Sequence, residues 1–203
     1  MTDGDALLDF ADDMRRLRRD CPWKREQTHR SLARYLQEET AETLEAIDTG
    51  DLPHLKEELG DLLLQVYFHA AIAEEHGDFT LDDVAQGISE KMHLRNPHVF
   101  GDQDGSQMSA ADVDAQWQQI KQREKPRRSA YDGIAPQLSA LLLATKVWER
   151  TPDASVPAGS DDLGDRLLAL VAEAAAAGVD PEQALRDALR RAVAGSPEEH
   201  PGV

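Results

Sequence analysis

The sequence contains one cysteine, Cys21, so no disulfide can form within the chain and burial must hold its fold together. Aromatic residues are 5% of the total. No stretch sustains an apolar/polar alternation with β-branched or aromatic enrichment, which removes the signals of a sandwich or barrel. Basic residues are scarce. Lys and Arg number 22 against 39 Asp and Glu, a formal charge of -17, and this argues against binding a nucleic-acid polymer through its phosphates. Long apolar runs are also missing: stretches such as 141–144 are far short of the roughly 20 residues that span a bilayer, so no membrane role is expected. The first twenty positions carry acids where a secretion signal would be apolar, and the chain is expected in the cytoplasm. With 10 prolines and 13 glycines the composition is globular, and 203 residues suffice for one domain plus an appendage or for two small domains.

What is present is a helical period. Apolar positions recur at three and four residues through most of the first 125 positions, and the expected class is all-α. A first helix spans about 5–19 and stops before Cys21-Pro22-Trp23, because a residue preceding proline disfavours the α region; a loop is expected next. Thr28 or Ser31 can cap the following helix, which ends near Thr49-Gly50. Asp51 caps its successor, with Pro53 in the first turn and Leu55, Leu59, Leu62, Leu63, Val66, Ala70 and Ala73 on one stripe. Capping boxes Thr80/Asp83 and Ser109/Asp112 open two more helices, separated by Asn96-Pro97 and an acid- and glycine-rich linker at 101–105. Short turns between four such helices predict a bundle.

Beyond position 130 a further helix is expected over about 136–149, then a linker at 151–159. A partial repeat follows: Asp161-Asp162-Leu163-Gly164-Asp165 restates Glu57-Glu58-Leu59-Gly60-Asp61, and Asp180-Pro181 opens an echo of the next helix. The expected organisation is therefore a helical domain at 1–125, a connecting helix and linker at 126–159, and a degenerate half-repeat with a flexible tail at 160–203.

The chemistry lies in the acids. Glu38-Glu39-Thr40-Ala41-Glu42 sits on one helix and Glu58-Leu59-Gly60-Asp61 on the next, each word placing carboxylates three or four residues apart on one edge. In an antiparallel pair turning near Asp51, Glu39, Glu42, Glu58 and Asp61 fall within roughly 8 Å along the axis at 1.5 Å per residue. A Glu-Glu-x-x-Glu word alone is commonly a solvated acidic face. The second cluster, bordering an apolar helix, shifts the balance toward a metal site, since like charges held close need compensation. Oxygen-only ligands favour Mg2+, with Mn2+ able to substitute, and Mg2+ commonly completes its shell with substrate phosphates.

These words resemble the MazG-type nucleoside triphosphate pyrophosphohydrolases of the all-α NTP pyrophosphatase superfamily. The likeness extends to Cys21-Pro22-Trp23, Glu26-Gln27-Thr28-His29, Asn96-Pro97-His98-Val99-Phe100 and Trp117-Gln118-Gln119-Ile120-Lys121, and covers about residues 5–150. It implies a MazG-like four-helix core and hydrolysis of a nucleoside triphosphate to monophosphate and pyrophosphate, in nucleotide-pool house-cleaning. Carried over by position, Glu39, Glu42, Glu58 and Asp61 are the implied metal ligands, and Glu38 a further ligand or the group orienting the attacking water. Lys91 and Arg95 match a basic pair that neutralises phosphate charge, and Trp117 an aromatic near the nucleotide. Lys121, one turn on, is placed to reach a phosphate, and Trp23 is open between stacking on a base and anchoring its loop. The second copy lacks a Glu-Glu-x-x-Glu helix, so the active centre is expected in the amino-terminal domain. Self-association, most simply as a homodimer, is expected from apolar stripes and from the family.

Two rivals have sequence support. A helical nucleotide-binding or regulatory protein without turnover would keep the fold, and the shortened copy lends it weight. A ferritin-like di-iron centre needs Glu-x-x-His words, and Glu26/His29 and Glu90/His93 supply two, though in the wrong order relative to the acidic helices.

Overall fold

The computed structural model describes residues 5–101, 108–124, 129–151, 154–155 and 159–194. Among these there is no strand, and the all-α class holds. The elements are α1 (Asp5–Asp20), α2 (Pro22–Glu26), α3 (His29–Thr49), α4 (Leu52–His76), α5 (Leu81–Arg95), α6 (Pro97–Phe100), α7 (Ala110–Glu124), α8 (Ala140–Trp148), α9 (Leu163–Ala176) and α10 (Pro181–Ala194). They group into two compact units, divided between residues 120 and 121. The linker at 101–105 lies outside the described residues from 102 on, as does the tail from 195.

The first unit is built on the α3–α4 hairpin. Thr28 caps α3 in a reciprocal box with Ser31, and Gly50 closes it at φ 71°, a left-handed conformation that costs a residue with a Cβ about 1 kcal/mol or more. From that turn the Gly50 and Asp51 amides donate to the carbonyls of Ile47 and Ala46. The Asp51 side chain then accepts from the His54 amide at 3.1 Å, so α4 starts one residue after α3 has been sealed. The hairpin is thus set by local chemistry before any packing.

Packing fixes the rest. Met14, Leu32 and Phe68 are the largest fully buried side chains, and they join Ala11, Tyr67 and Ile72 in one core to which α1, α3 and α4 all contribute. The stripe expected on α4 divides: Ala70 and Ala73 are buried, whereas Leu59 and Val66 stand 51% and 43% exposed. The expected loop after α1 is in fact the short helix α2. Pro22 does end α1, but its fixed φ also suits the first turn of a new helix, which uses it that way. Arg18 ties this corner together. Only 5% exposed, it donates bidentately to Glu75 at 2.7 and 2.5 Å and also to the carbonyls of Lys24 and Gln27, joining α1, α2 and α4. Those hydrogen bonds hold the Glu75 carboxyl below the usual glutamate range.

In the second unit α8, α9 and α10 pack on one another, with Val171 buried. The connecting helix begins at Ala140, later than the expected 136, because Ser139 supplies the cap.

Candidate metal centre

The α3–α4 hairpin brings three of the expected acids together. Glu39, Glu58 and Asp61 each offer a carboxylate oxygen, and these atoms all lie within 4.8 Å of one another. Glu58 is buried, Glu39 and Asp61 half-buried. Glu38 and Glu42 are exposed on the same helix, outside that grouping, though the Glu42 charge still reaches Glu39. Partial burial, then the charges of Asp61, Glu42, Glu58 and Glu38, push the Glu39 carboxyl above the usual range. Its neighbours therefore penalise ionisation of this group, as expected where a cation belongs.

An unmet valence makes the point sharper. The Glu58 side chain is 8% exposed, its Oε1 lies 2.9 Å from the His54 imidazole Nε2, and its Oε2 is buried with no hydrogen-bond partner. Ionised Glu39 and Asp61 carry only acceptors and cannot satisfy it. A hard divalent cation fits this donor set: oxygen ligands alone, with no thiolate or imidazole among the three. His54 is the residue the sequence reasoning missed. Its signal was available, since it stands four positions before Glu58 on the same helix.

The remaining expected residues fall in two places. Arg95, at the end of α5, lies with its guanidinium 5.2 Å from the centre of the Trp117 ring on α7, so a cation and an aromatic from separate helices meet. Lys91 is exposed one turn earlier on α5, and Lys121 is half-buried near the end of α7. Trp23 stands apart from that pair, in edge or tilted contact with Tyr35 at 6.1 Å and Phe68 at 6.5 Å and beside the Lys24 ammonium. It is still 49% exposed. The two Glu-x-x-His words separate: Gln27 is extended between Glu26 and His29, which breaks the helical turn their spacing needs, and His29 pairs with His69 instead. The di-iron pattern fails on that geometry.

Residues 27–100 match the MazG nucleotide pyrophosphohydrolase domain, a stretch that contains both acidic words. The chain is 39% identical over 200 residues to the nucleoside triphosphate pyrophosphohydrolase/pyrophosphatase MazG of Thermotoga maritima, covering 85% of this chain and 76% of that one. This chain belongs to the MazG family. It is also 43% identical over 188 residues to the nucleoside triphosphate pyrophosphohydrolase of Mycobacterium tuberculosis, covering 92% of this chain but only 55% of that protein. The crystal structure of a MazG-related protein from Thermotoga maritima aligns with a TM-score of 0.48 at 29% identity, over 58% of this chain and 97% of that one. Within the MazG match, α3, α4 and α5 carry Glu38 to Glu42, Glu58, Asp61, Lys91 and Arg95.

The second copy of the acidic word sits differently. Asp162 caps α9, its carboxylate accepting from the Asp165 amide, and Asp165 accepts from the Ser160 hydroxyl at 2.7 Å. Glu58, by contrast, lies in the second turn of a long helix, with its side chain turned to a neighbour and not to its own backbone.

Proposed function

We propose that this chain hydrolyses nucleoside triphosphates to the monophosphate and pyrophosphate in a Mg2+-dependent reaction, Mn2+ substituting, and that its task is clearing the cytoplasmic nucleotide pool. The observation that carries this is the buried Glu58, one oxygen of which has no partner, in a three-carboxylate group on a MazG-family hairpin.

Glu39, Glu58 and Asp61 hold the divalent cation in this reading, with Glu42 joining from the adjacent turn of α3. Such a cation, when bound, supplies the charge that lets a triphosphate approach carboxylates and lowers the pKa of a coordinated water. Glu38, exposed one position before Glu39, orients that water in this reading. Lys91 and Arg95 counter the charge that grows on the departing pyrophosphate, and Lys121 reaches a phosphate from α7. Trp117 holds the Arg95 guanidinium against its face and offers an aromatic surface to the nucleotide, with Trp23 as a second stacking surface.

A second copy of the chain is the partner we assign to the remaining apolar surface. Leu36, Leu44 and Ile47 on α3 and Leu59 and Val66 on α4 are exposed large hydrophobics on the hairpin that bears the acids.

Turnover of a panel of ordinary and oxidised triphosphates with Mg2+ or Mn2+, read as phosphate after added pyrophosphatase, tests the activity. Wild type should release pyrophosphate and Glu42→Gln should release almost none with its helical spectrum unchanged. No turnover of any triphosphate with either metal would leave a nucleotide-binding protein.

A further inference from the structure

The geometry points to His54 as a positioning residue for the metal centre: its imidazole fixes one Glu58 oxygen and thereby leaves the other for the cation. This inference rests on the metal reading above and goes beyond it in assigning a task to a residue outside the carboxylate set.

Asp51 accepts from the His54 backbone amide at 3.1 Å, which fixes where the His54 side chain leaves the helix. Four residues on, Glu58 is the next residue on that edge, and the His54 Nε2–H donates to Glu58 Oε1 at 2.9 Å. The two ends of the contact differ in environment. His54 is 38% exposed, whereas the Glu58 side chain is 8% exposed. The imidazole therefore remains open to water while the carboxylate it holds does not.

A free glutamate turns about its last bond and exchanges its two oxygens. With Oε1 held by a donor, that exchange is blocked, and Oε2 stays buried with no donor of its own, on a carboxylate that groups with Glu39 and Asp61. Without the donor, repulsion from the other two carboxylates would favour a rotamer that swings Glu58 toward solvent. His54 thus prepares one ligand of three before the ion arrives, the role that hydrogen-bond partners behind metal ligands commonly have.

Mn2+ binding to the full chain without nucleotide, followed by loss of the free-ion electron paramagnetic resonance signal, separates this inference from the one beneath it. Wild type should take up Mn2+ and Asp61→Asn should not. His54→Ala should weaken uptake by roughly tenfold or more, the usual scale for such partners. His54→Gln should recover most of the loss, because its amide N–H reaches the same oxygen from the same helical position. Wild-type affinity in His54→Ala would overturn the positioning role, as would a His54→Gln no better than His54→Ala. If wild type takes up no Mn2+ at all, the metal reading itself falls and the inference goes with it.

Discussion

Replacing Asp61 by Asn should abolish the metal response and yet make the metal-free protein more stable. Asp61 faces Glu39 and Glu58, with a ligand oxygen of each within 4.8 Å. Two unit charges at that distance repel by about 0.9 kcal/mol at the dielectric constant of water and about 3.5 kcal/mol at an effective value near 20. Water reaches Glu39 and Asp61, which are half-buried, so the lower figure governs and each pair contributes about 1 kcal/mol. Asn keeps the shape and removes both repulsions, a gain of about 2 kcal/mol, or roughly 4–8 °C in the melting temperature of a chain this size.

The assay is thermal unfolding in a chelator at low ionic strength and neutral pH, repeated with excess Mg2+ or Mn2+. Wild type should melt lower than the variant in chelator and rise on adding metal, while the variant should not respond. Added salt should narrow the difference in chelator. Acid should narrow it too, with a defined sign. Because the Glu39 carboxyl titrates above its unfolded value, the folded state binds more protons than the unfolded state between the two. The associated destabilisation is present at neutral pH and disappears as pH falls through the raised value. A variant that melts at or below wild type in chelator would refute the reasoning, since the three carboxylates would then not be crowded in the apo protein.

Arg95→Ala should lower kcat/KM by about 10- to 100-fold, the worth of a charge-assisted phosphate contact, and should change the Trp117 fluorescence by removing the guanidinium over its ring. Arg18→Ala should cost about 3 kcal/mol in urea unfolding, the low end for a broken buried pair because Glu75 is 41% exposed; a loss under about 1 kcal/mol would show that α2 does not depend on it. A chain ended after residue 150 should keep its turnover, because Asp162 and Asp165 are engaged in capping and bonding to Ser160; a folded truncate without activity would show otherwise.

Much of this was legible because the rules that govern it act over three or four residues. Thr28 with Ser31, Thr80 with Asp83, and Asp51 and Gly50 mark their helix ends by chemistry that needs no distant partner, and each is found in its expected place. The proximity of Glu39, Glu58 and Asp61 followed from two helical spacings and one turn. What the sequence hid has a longer reach. Arg18 reads as a surface charge on α1, and Glu75, 57 residues away, makes its burial tolerable together with the carbonyls of Lys24 and Gln27. The stripe on α4 is apolar on more than one side, and which part enters the core depends on where α1 lies against it. Pro22 marks the end of one helix in the sequence, and only the packed corner shows that it also starts another.

The repeated word shows best why spacing alone is not enough. Glu58-x-x-Asp61 and Asp162-x-x-Asp165 share their separation and their central Leu-Gly. In the first, six residues stand between the helix cap and Glu58, so the backbone amides nearby are already bonded within α4 and the carboxylates are left to point away from the axis. In the second, Asp162 is itself the cap, and the free amides of the first turn claim its oxygen before any ion can. The shorter side chain suits that work, whereas glutamate is not among the favoured capping residues. Moving a helix start by two turns therefore turns a ligand pair into a structural one.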